Sequence, residues 1–239
     1  MELVVLAESE RWRVIAKPSG LPVHRSALVD EKLTVVRLAR RRFGHQVAPV
    51  HRLDRATSGC LLLSNDPAYT SVLQAALGQG EKRYLAMVRG RVRSLDPVRF
   101  DRPMKDTAGV DKDAATLFAP LGRTEEAEEG DRSHGPRSSL ILATPLTGRY
   151  HQVRRHLRDL SHPVLGDTSH GDSRVNRWWR ENFGLARLAL HCLSLDLDLP
   201  DGDRIHAVAP VPRDLRRVWE QLPWWADAAS ACPELEGAA

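Results

Sequence analysis

The sequence predicts an α+β (mixed α/β) fold. Three observations carry that expectation. Strand-type and helix-type segments interleave without a regular βαβ period, and no linker forces a second domain. The chain has 239 residues, 42% hydrophobic and 28% charged, enough to bury one sizeable core and ordinary for a folded domain. Finally, Leu193, Leu195, Leu197 and Leu199 alternate with Ser194, Asp196 and Asp198, which is the period of a half-buried strand.

The remaining elements follow in order. Val4-Val5-Leu6 and Val14-Ile15-Ala16 read as short strands. Lys17-Pro18-Ser19-Gly20 is a turn, because Pro fixes φ and Gly opens the left-handed region. Leu33 to Phe43 spaces Leu33, Val36 and Leu38 as a short amphipathic helix that Gly44 stops. Cys60 to Leu63 is an apolar run suited to a buried strand. Asp66-Pro67 starts a helix, an acceptor at the cap followed by Pro in the first turn, which runs to about Leu77 before Gly78 and Gly80. Arg83 to Val92 alternates as a strand. Residues 101–138 are polar and carry the acidic run Glu125-Glu126-Ala127-Glu128-Glu129, so they read as a long insertion or loop. Ser139 to Thr144 resumes a strand. Tyr150 to Leu160 is helical, with Val153, Leu157 and Leu160 on one stripe and Arg154 and Arg158 on another face. Arg213 to Leu222 closes the fold. A single domain over 1–225 and a flexible tail over 226–239 are the expected organisation.

Composition narrows the function classes. No apolar run approaches the ~20 residues needed to span a bilayer, and Met1-Glu2-Leu3 does not begin a signal peptide. A cytoplasmic protein without membrane contact is expected. Cys60, Cys192 and Cys232 are odd in number and scattered, which suits a reducing compartment rather than a disulfide framework. The net charge is +4, a mild hint of a polyanionic partner. Arginines far outnumber lysines, which a G+C-rich genome would also produce. Their arrangement says more: Arg37, Arg40, Arg41 and Arg42 cluster early, and Arg149, Arg154, Arg155 and Arg158 late. Guanidinium forks suit phosphate, although a solvated helix face explains the first cluster equally well.

Two segments could do chemistry. In His51-Arg52-Leu53-Asp54-Arg55-Ala56-Thr57-Ser58-Gly59 an acid lies between two arginines, which favour its ionised form. Such a carboxylate is a nucleophile or an anchor rather than a proton donor; the plain alternative is a capped turn with surface ion pairs. In Thr147-Gly148-Arg149-Tyr150-His151-Gln152-Val153-Arg154-Arg155-His156, polar side chains gather at a helix start, where backbone N–H groups attract anions. His151, His156, His162, His170 and His191 lack metal-ligand spacing, so no metal is expected. Neither a dinucleotide nor a triphosphate fingerprint occurs, so no nucleotide cofactor is expected. Tyr84, an aromatic among basic residues, is a candidate stacking platform for a base.

These segments together resemble the RluA-type pseudouridine synthases. Ala16-Lys17-Pro18-Ser19-Gly20-Leu21-Pro22-Val23-His24 resembles the family's NKPxGlpvH opening. His51 to Gly59 is similar to its HRLDxxTSG motif at every fixed position. Lys82 to Ala86 resembles KxYxA, and His162 to Asp167 resembles HPIxGD. Thr147 to Arg154 resembles TGRTHQIR, with Tyr150 and Val153 as departures. His170 to Arg177 and Phe183 to Leu188 are similar to a tRNA-directed subgroup that modifies a T-stem uridine. The segment before the catalytic region is absent, so no S4 module is expected.

The resemblance implies a synthase fold with a central, largely antiparallel sheet flanked by helices. It implies isomerisation of uridine in RNA, most simply tRNA, with no cofactor. Asp54, Tyr84 and Arg154 would be catalytic, and Arg52, Arg149, His151 and Gln152 would bind substrate. Asp54 would attack the sugar or the base, or remove the C2′ proton. Arg154 would pair with Asp54, Tyr84 would stack on the uracil, and Arg52 would steady the flipped nucleotide. An rRNA-directed enzyme of the same family, a non-catalytic RNA-binding protein and a histidine-based metal hydrolase are the alternatives.

Overall fold

The structure, a computed structural model, describes residues 2–24, 33–125 and 137–237. In chain order the elements begin with β1 (Val4–Glu8), β2 (Trp12–Lys17), α1 (Val35–Phe43), β3 (Ala48–Pro49), β4 (Ser58–Ser64), α2 (Thr70–Gln79) and β5 (Glu81–Arg89). Next come β6 (Val98–Asp101), β7 (Met104–Lys105), β8 (Asp111–Lys112), β9 (Ala115–Arg123), β10 (Ser138–Pro145), α3 (Gln152–Asp159) and α4 (Ser173–Phe183). The chain closes with β11 (Leu190–Asp198), β12 (Arg204–Val208), α5 (Arg213–Trp219) and α6 (Trp225–Ala231). These elements form two compact units, Met1–Lys82 with His191–Ala209, and Arg83–Leu190 with Pro210–Ala239.

In the first unit β1, β2 and β4 pair antiparallel, and β12 pairs antiparallel with β11. The β4–β11 pair is parallel, with His191 opposite Ser58 and Cys192 opposite Gly59. All seven β4 residues, Ser-Gly-Cys-Leu-Leu-Leu-Ser, are buried, as a strand covered on both faces requires. Gly59 makes the parallel approach possible. Its φ is +114°, and a Cβ there would overlap the carbonyl oxygen of Cys192. Helix α1 starts where Thr34 Oγ1 accepts from the Arg37 N–H at 3.2 Å, and it buries Val35 and Ala39.

The second unit is a meander in which β5, β10, β9 and β6 pair antiparallel in that order. Trp219 and Trp224 are fully buried, and the Trp224 indole N–H donates to Ser138 Oγ at 3.0 Å. Both units are thus α+β with largely antiparallel strands, as expected.

Two expectations need correction. Residues 101–138 are not simply a loop: β7, β8 and the nine-residue β9 lie within them, while 126–136, with most of the acidic run, fall outside the described residues. β9 contains Pro120 and Gly122, residue types that more often punctuate a strand. Here they flank a register irregularity, with Leu140 opposite Gly122 and Ile141 opposite Pro120, and a bulge tolerates a residue without an N–H. Nor is 226–237 a frayed end. Ala228, Ala229, Cys232 and Leu235 are buried, and Gly122 leaves room for Trp224 and Ala228 against β9. Small apolar residues gave this segment too weak a stripe to be read as packed.

Candidate active site

Asp54 lies in the first unit on a turn leading into β4, and it is half-buried. The turn is fastened through its backbone. Its Thr57 N–H donates to the Asp54 carbonyl at 3.1 Å. The buried Lys17 ammonium donates to the carbonyls of Pro18 at 2.9 Å, Arg55 at 3.2 Å and Thr57 at 2.7 Å. Ser19 Oγ donates to the Ala56 carbonyl at 2.7 Å, and the Gly20 N–H to that of Arg55 at 2.8 Å. Three consecutive carbonyls after Asp54 therefore accept from Lys17, Ser19 or Gly20. The Lys-Pro-Ser-Gly turn is a clamp on the acid-bearing turn, and this role was not visible in the sequence, because Lys17 reads there as a surface turn residue. Burying an ammonium is costly unless its donors are satisfied; carbonyl oxygens satisfy them here.

Two histidines brace the ends of this segment. His51 Nε2 accepts the Leu62 N–H at 3.0 Å, so its proton sits on Nδ1. Burial, with Lys82 nearby, pushes His51 down to about 4. His191 Nε2 faces the Ala209 carbonyl at 3.0 Å and must donate to it, so its Nδ1 accepts from Ser58 Oγ at 2.9 Å. Arg52 is exposed, where a nucleic acid could meet it.

Tyr84 lies in the second unit on β5, opposite Ala143 of β10, and is half-buried. Arg154 lies in the first turns of α3 with 5% of its surface exposed. Its Nε donates to Asp167 Oδ2 at 2.7 Å and its Nη2 to Asp167 Oδ1 at 2.7 Å, a bidentate fork. Asp167 Oδ1 also accepts the N–H groups of Ser169 at 2.8 Å and His170 at 3.0 Å. Burial alone would raise the Asp167 carboxyl, but Arg154 and these N–H donors hold it below the usual carboxylate range. Asp167 was quoted in the sequence only as the end of a motif; its signal was a carboxylate in a turn otherwise rich in apolar residues.

Gln152 was expected to bind substrate. It is buried, and the protein uses its whole amide: Oε1 accepts from Thr147 Oγ1 at 2.6 Å and the Arg149 N–H at 3.0 Å, while Nε2 donates to the Ala115 carbonyl at 2.9 Å and Thr116 Oγ1 at 3.0 Å. His156 continues the network between Thr116 Oγ1 at 3.0 Å and the Arg102 carbonyl at 3.1 Å. Arg149 and Tyr150 are exposed, and Arg149 Nε donates to the Asp113 carbonyl at 3.0 Å. His151 occupies the left-handed region at φ 54°. It stacks on Tyr150 with centroids 3.7 Å apart and shares a 2.9 Å hydrogen bond between its Nδ1 and His170 Nε2. One of these two nitrogens donates and the other accepts, so the pair cannot be doubly protonated. Among the described residues no group of three or more His, Cys, Asp or Glu is arranged to hold a metal ion.

The family model described as RNA pseudouridylate synthase matches residues 11–159. Two relatives named tRNA pseudouridine synthase C are similar over nearly the whole chain. That of Vibrio vulnificus (strain CMCP6) is 35% identical over 232 residues, 92% of this chain and 94% of its own. That of Yersinia pestis is 35% identical over 247 residues, 98% and 95% of the respective chains. Among solved structures, Human RNA Pseudouridylate Synthase Domain Containing 1 has the same fold, with a TM-score of 0.70 at 24% identity over 88% of this chain and 84% of that one.

Proposed function

Since the chain belongs to the RNA pseudouridylate synthase family and isomerises uridine to pseudouridine in RNA, we propose that its substrate is a cytoplasmic tRNA, modified at a T-stem uridine, and that Asp54, Tyr84 and Arg154 carry the reaction. One observation supports the tRNA reading above the rest: 35% identity across 94% of the Vibrio vulnificus tRNA pseudouridine synthase C. The resemblance of residues 170–177 and 183–188 to a tRNA-directed subgroup supports the T-stem. No helix among the described residues is long and apolar enough to cross a membrane.

The chemistry balances without another reactant. The bond from C1′ to N1 breaks, a bond from C1′ to C5 forms, the proton on C5 leaves and N1 gains one. No oxidant, reductant or group donor enters. The uridine must first leave its stack, at a cost of a few kcal/mol, and Arg52, exposed beside Asp54, steadies it outside. Asp54 is the group whose position the clamp fixes, as a nucleophile or a general base requires. Tyr84 stacks on the uracil. Arg154 supplies positive charge to the reaction. Arg149 and His151 contact the RNA, and Gln152 acts through the loop it ties down.

Incubating the purified protein with a tRNA transcript and mapping pseudouridine tests this. One T-stem uridine is converted by the wild type. Asp54→Asn forms none, a loss of at least ~10³-fold, while binding tRNA nearly as well. Near-wild-type turnover by that variant overturns the role of Asp54. Conversion in rRNA but not tRNA overturns the substrate.

A further inference from the structure

Helix α1 borders a concavity of about 690 Å³ that nothing in the reaction uses, a size within the range of ligand-sized pockets. His24, Arg37, Arg40, Arg41 and His45 line it. All three arginines are exposed. Arg37 and Arg41 are four apart on one helix, and Arg37 and Arg40 three apart; like charges at these spacings destabilise a helix. The helix dipole compensates for cations in the last turn, but it does not account for the histidines. Arg42, the neighbour outside the concavity, is engaged structurally: it pairs with Glu2 at 3.0 Å and lies over the Phe43 ring at 5.1 Å. Among the described residues neither Arg40 nor Arg41 has a carboxylate within ion-pair distance; Arg40 Nε only donates to the Val47 carbonyl at 3.3 Å. The concavity belongs to the same unit as the acid-bearing segment. Burial and the charges of Arg52 and Arg40 together hold His24 below its ordinary range, so His24 lies within the field of both.

We propose that this concavity is a track for the phosphate backbone of the substrate RNA, in which Arg37, Arg40 and Arg41 grip the strand flanking the uridine presented to Asp54. The inference extends the tRNA reading above and rests on it for the choice of probe. Phosphates are the ligand because three guanidinium forks on one helical face match a repeated anion rather than a single small molecule. Neutralising phosphates releases counterions, so binding through the track is salt-dependent.

The test is the affinity of the full chain for a fluorescently labelled tRNA across a salt series, with pseudouridine formation on the same tRNA measured in parallel. Arg37→Ala with Arg41→Ala weakens binding about tenfold at moderate salt and flattens the slope of log affinity against log salt by about 1.5, the loss of two contacts. It raises KM and leaves kcat within about twofold. Arg37→Lys with Arg41→Lys keeps the charges and restores most of the slope, which separates loss of charge from damage to the helix. Arg204→Ala, an exposed arginine paired with Asp196 at 2.8 Å on β12, leaves the slope unchanged. An unaltered slope in the double alanine variant overturns the track, whatever the wild type modifies. A flattened slope with no pseudouridine formed by the wild type in tRNA keeps the track and overturns the tRNA reading instead.

Discussion

The two charged residues on which the reaction is proposed to turn are held in opposite ways. Asp54 is fixed through its backbone: Lys17, Ser19 and Gly20 donate to the carbonyls of the turn that follows it. Arg154 is fixed through its side chain, buried and forked onto Asp167. Gripping the backbone leaves a half-buried carboxyl able to meet a substrate while its position is still dictated. Gripping a guanidinium by a dedicated carboxylate instead lets a buried cation exist at all, since an unpaired one is strongly destabilising. The group proposed to react and the group proposed to supply charge are therefore anchored in different ways.

The sharpest way to break that contrast is to remove the fork without leaving an orphan. Arg154→Met with Asp167→Asn removes both charges and keeps an amide oxygen for the N–H groups of Ser169 and His170. Replacing a buried pair by neutral groups of similar size is often close to neutral for stability, so thermal unfolding shifts by only a few degrees. Pseudouridine formation falls about 10³-fold if Arg154 supplies charge to the reaction. A folded double variant with wild-type turnover would reduce Arg154 to a packing cation. Asp167→Asn alone takes the buried carboxylate charge away from the fork and costs about 3–5 kcal/mol in urea unfolding.

A smaller effect tests the other side. Lys17→Met leaves the carbonyls of Arg55 and Thr57 without this donor, and the Asp54 turn loosens. Misplacing a catalytic group by about 1 Å costs up to ~10²-fold, and the loss here is about tenfold or somewhat more. It appears in kcat, with tRNA affinity unchanged, because the clamp lies behind the turn rather than on a proposed RNA contact. Equal kcat in the variant would mean that the turn holds its shape without Lys17.

What the sequence shows and hides divides along the same line. Local features were readable: the β4 apolar run, the Asp66-Pro67 start and the inward stripe of α3, whereas Arg154 and Arg158, read as one face, part company, Arg154 buried and Arg158 exposed. Asp66 does cap its turn, accepting the Ala68 N–H at 2.9 Å. Partnerships were not readable, because nothing in a spacing of 13 or 40 residues distinguishes Arg154–Asp167 or Lys17–Thr57 from other pairs. Gln152 shows the same gap. A polar residue in a motif reads as a substrate contact, and only three-dimensional packing reveals that its amide is saturated by Thr147, Arg149, Ala115 and Thr116. Strand β9 was hidden because Pro120 and Gly122 punctuate it, and sequence alone cannot distinguish a bulge from a break.

The mildest test uses pH and applies to both anchored regions. His51 accepts the Leu62 N–H in the first unit, and His156 lies within the Thr116–Arg102 network of the second. Burial holds both below the ordinary histidine range, His51 at about 4. The folded-state value is depressed, so between about pH 6.5 and 4 the unfolded chain takes up a proton at His51 that the folded chain refuses. Stability is therefore present above pH 6.5 and lost as pH falls, by about 1 kcal/mol near pH 5.5 and about 3 kcal/mol by pH 4 from His51 alone. His156 adds in the same direction. Urea midpoints at pH 7 and pH 5.5 measure the sum. His51→Gln, whose amide oxygen can still accept the Leu62 N–H, flattens the profile by about 1 kcal/mol over that interval. If the variant loses stability with acid as steeply as the wild type, His51 is not the desolvated neutral imidazole that braces the acid-bearing segment, and the sensitivity belongs to the Gln152–His156 network of the second unit.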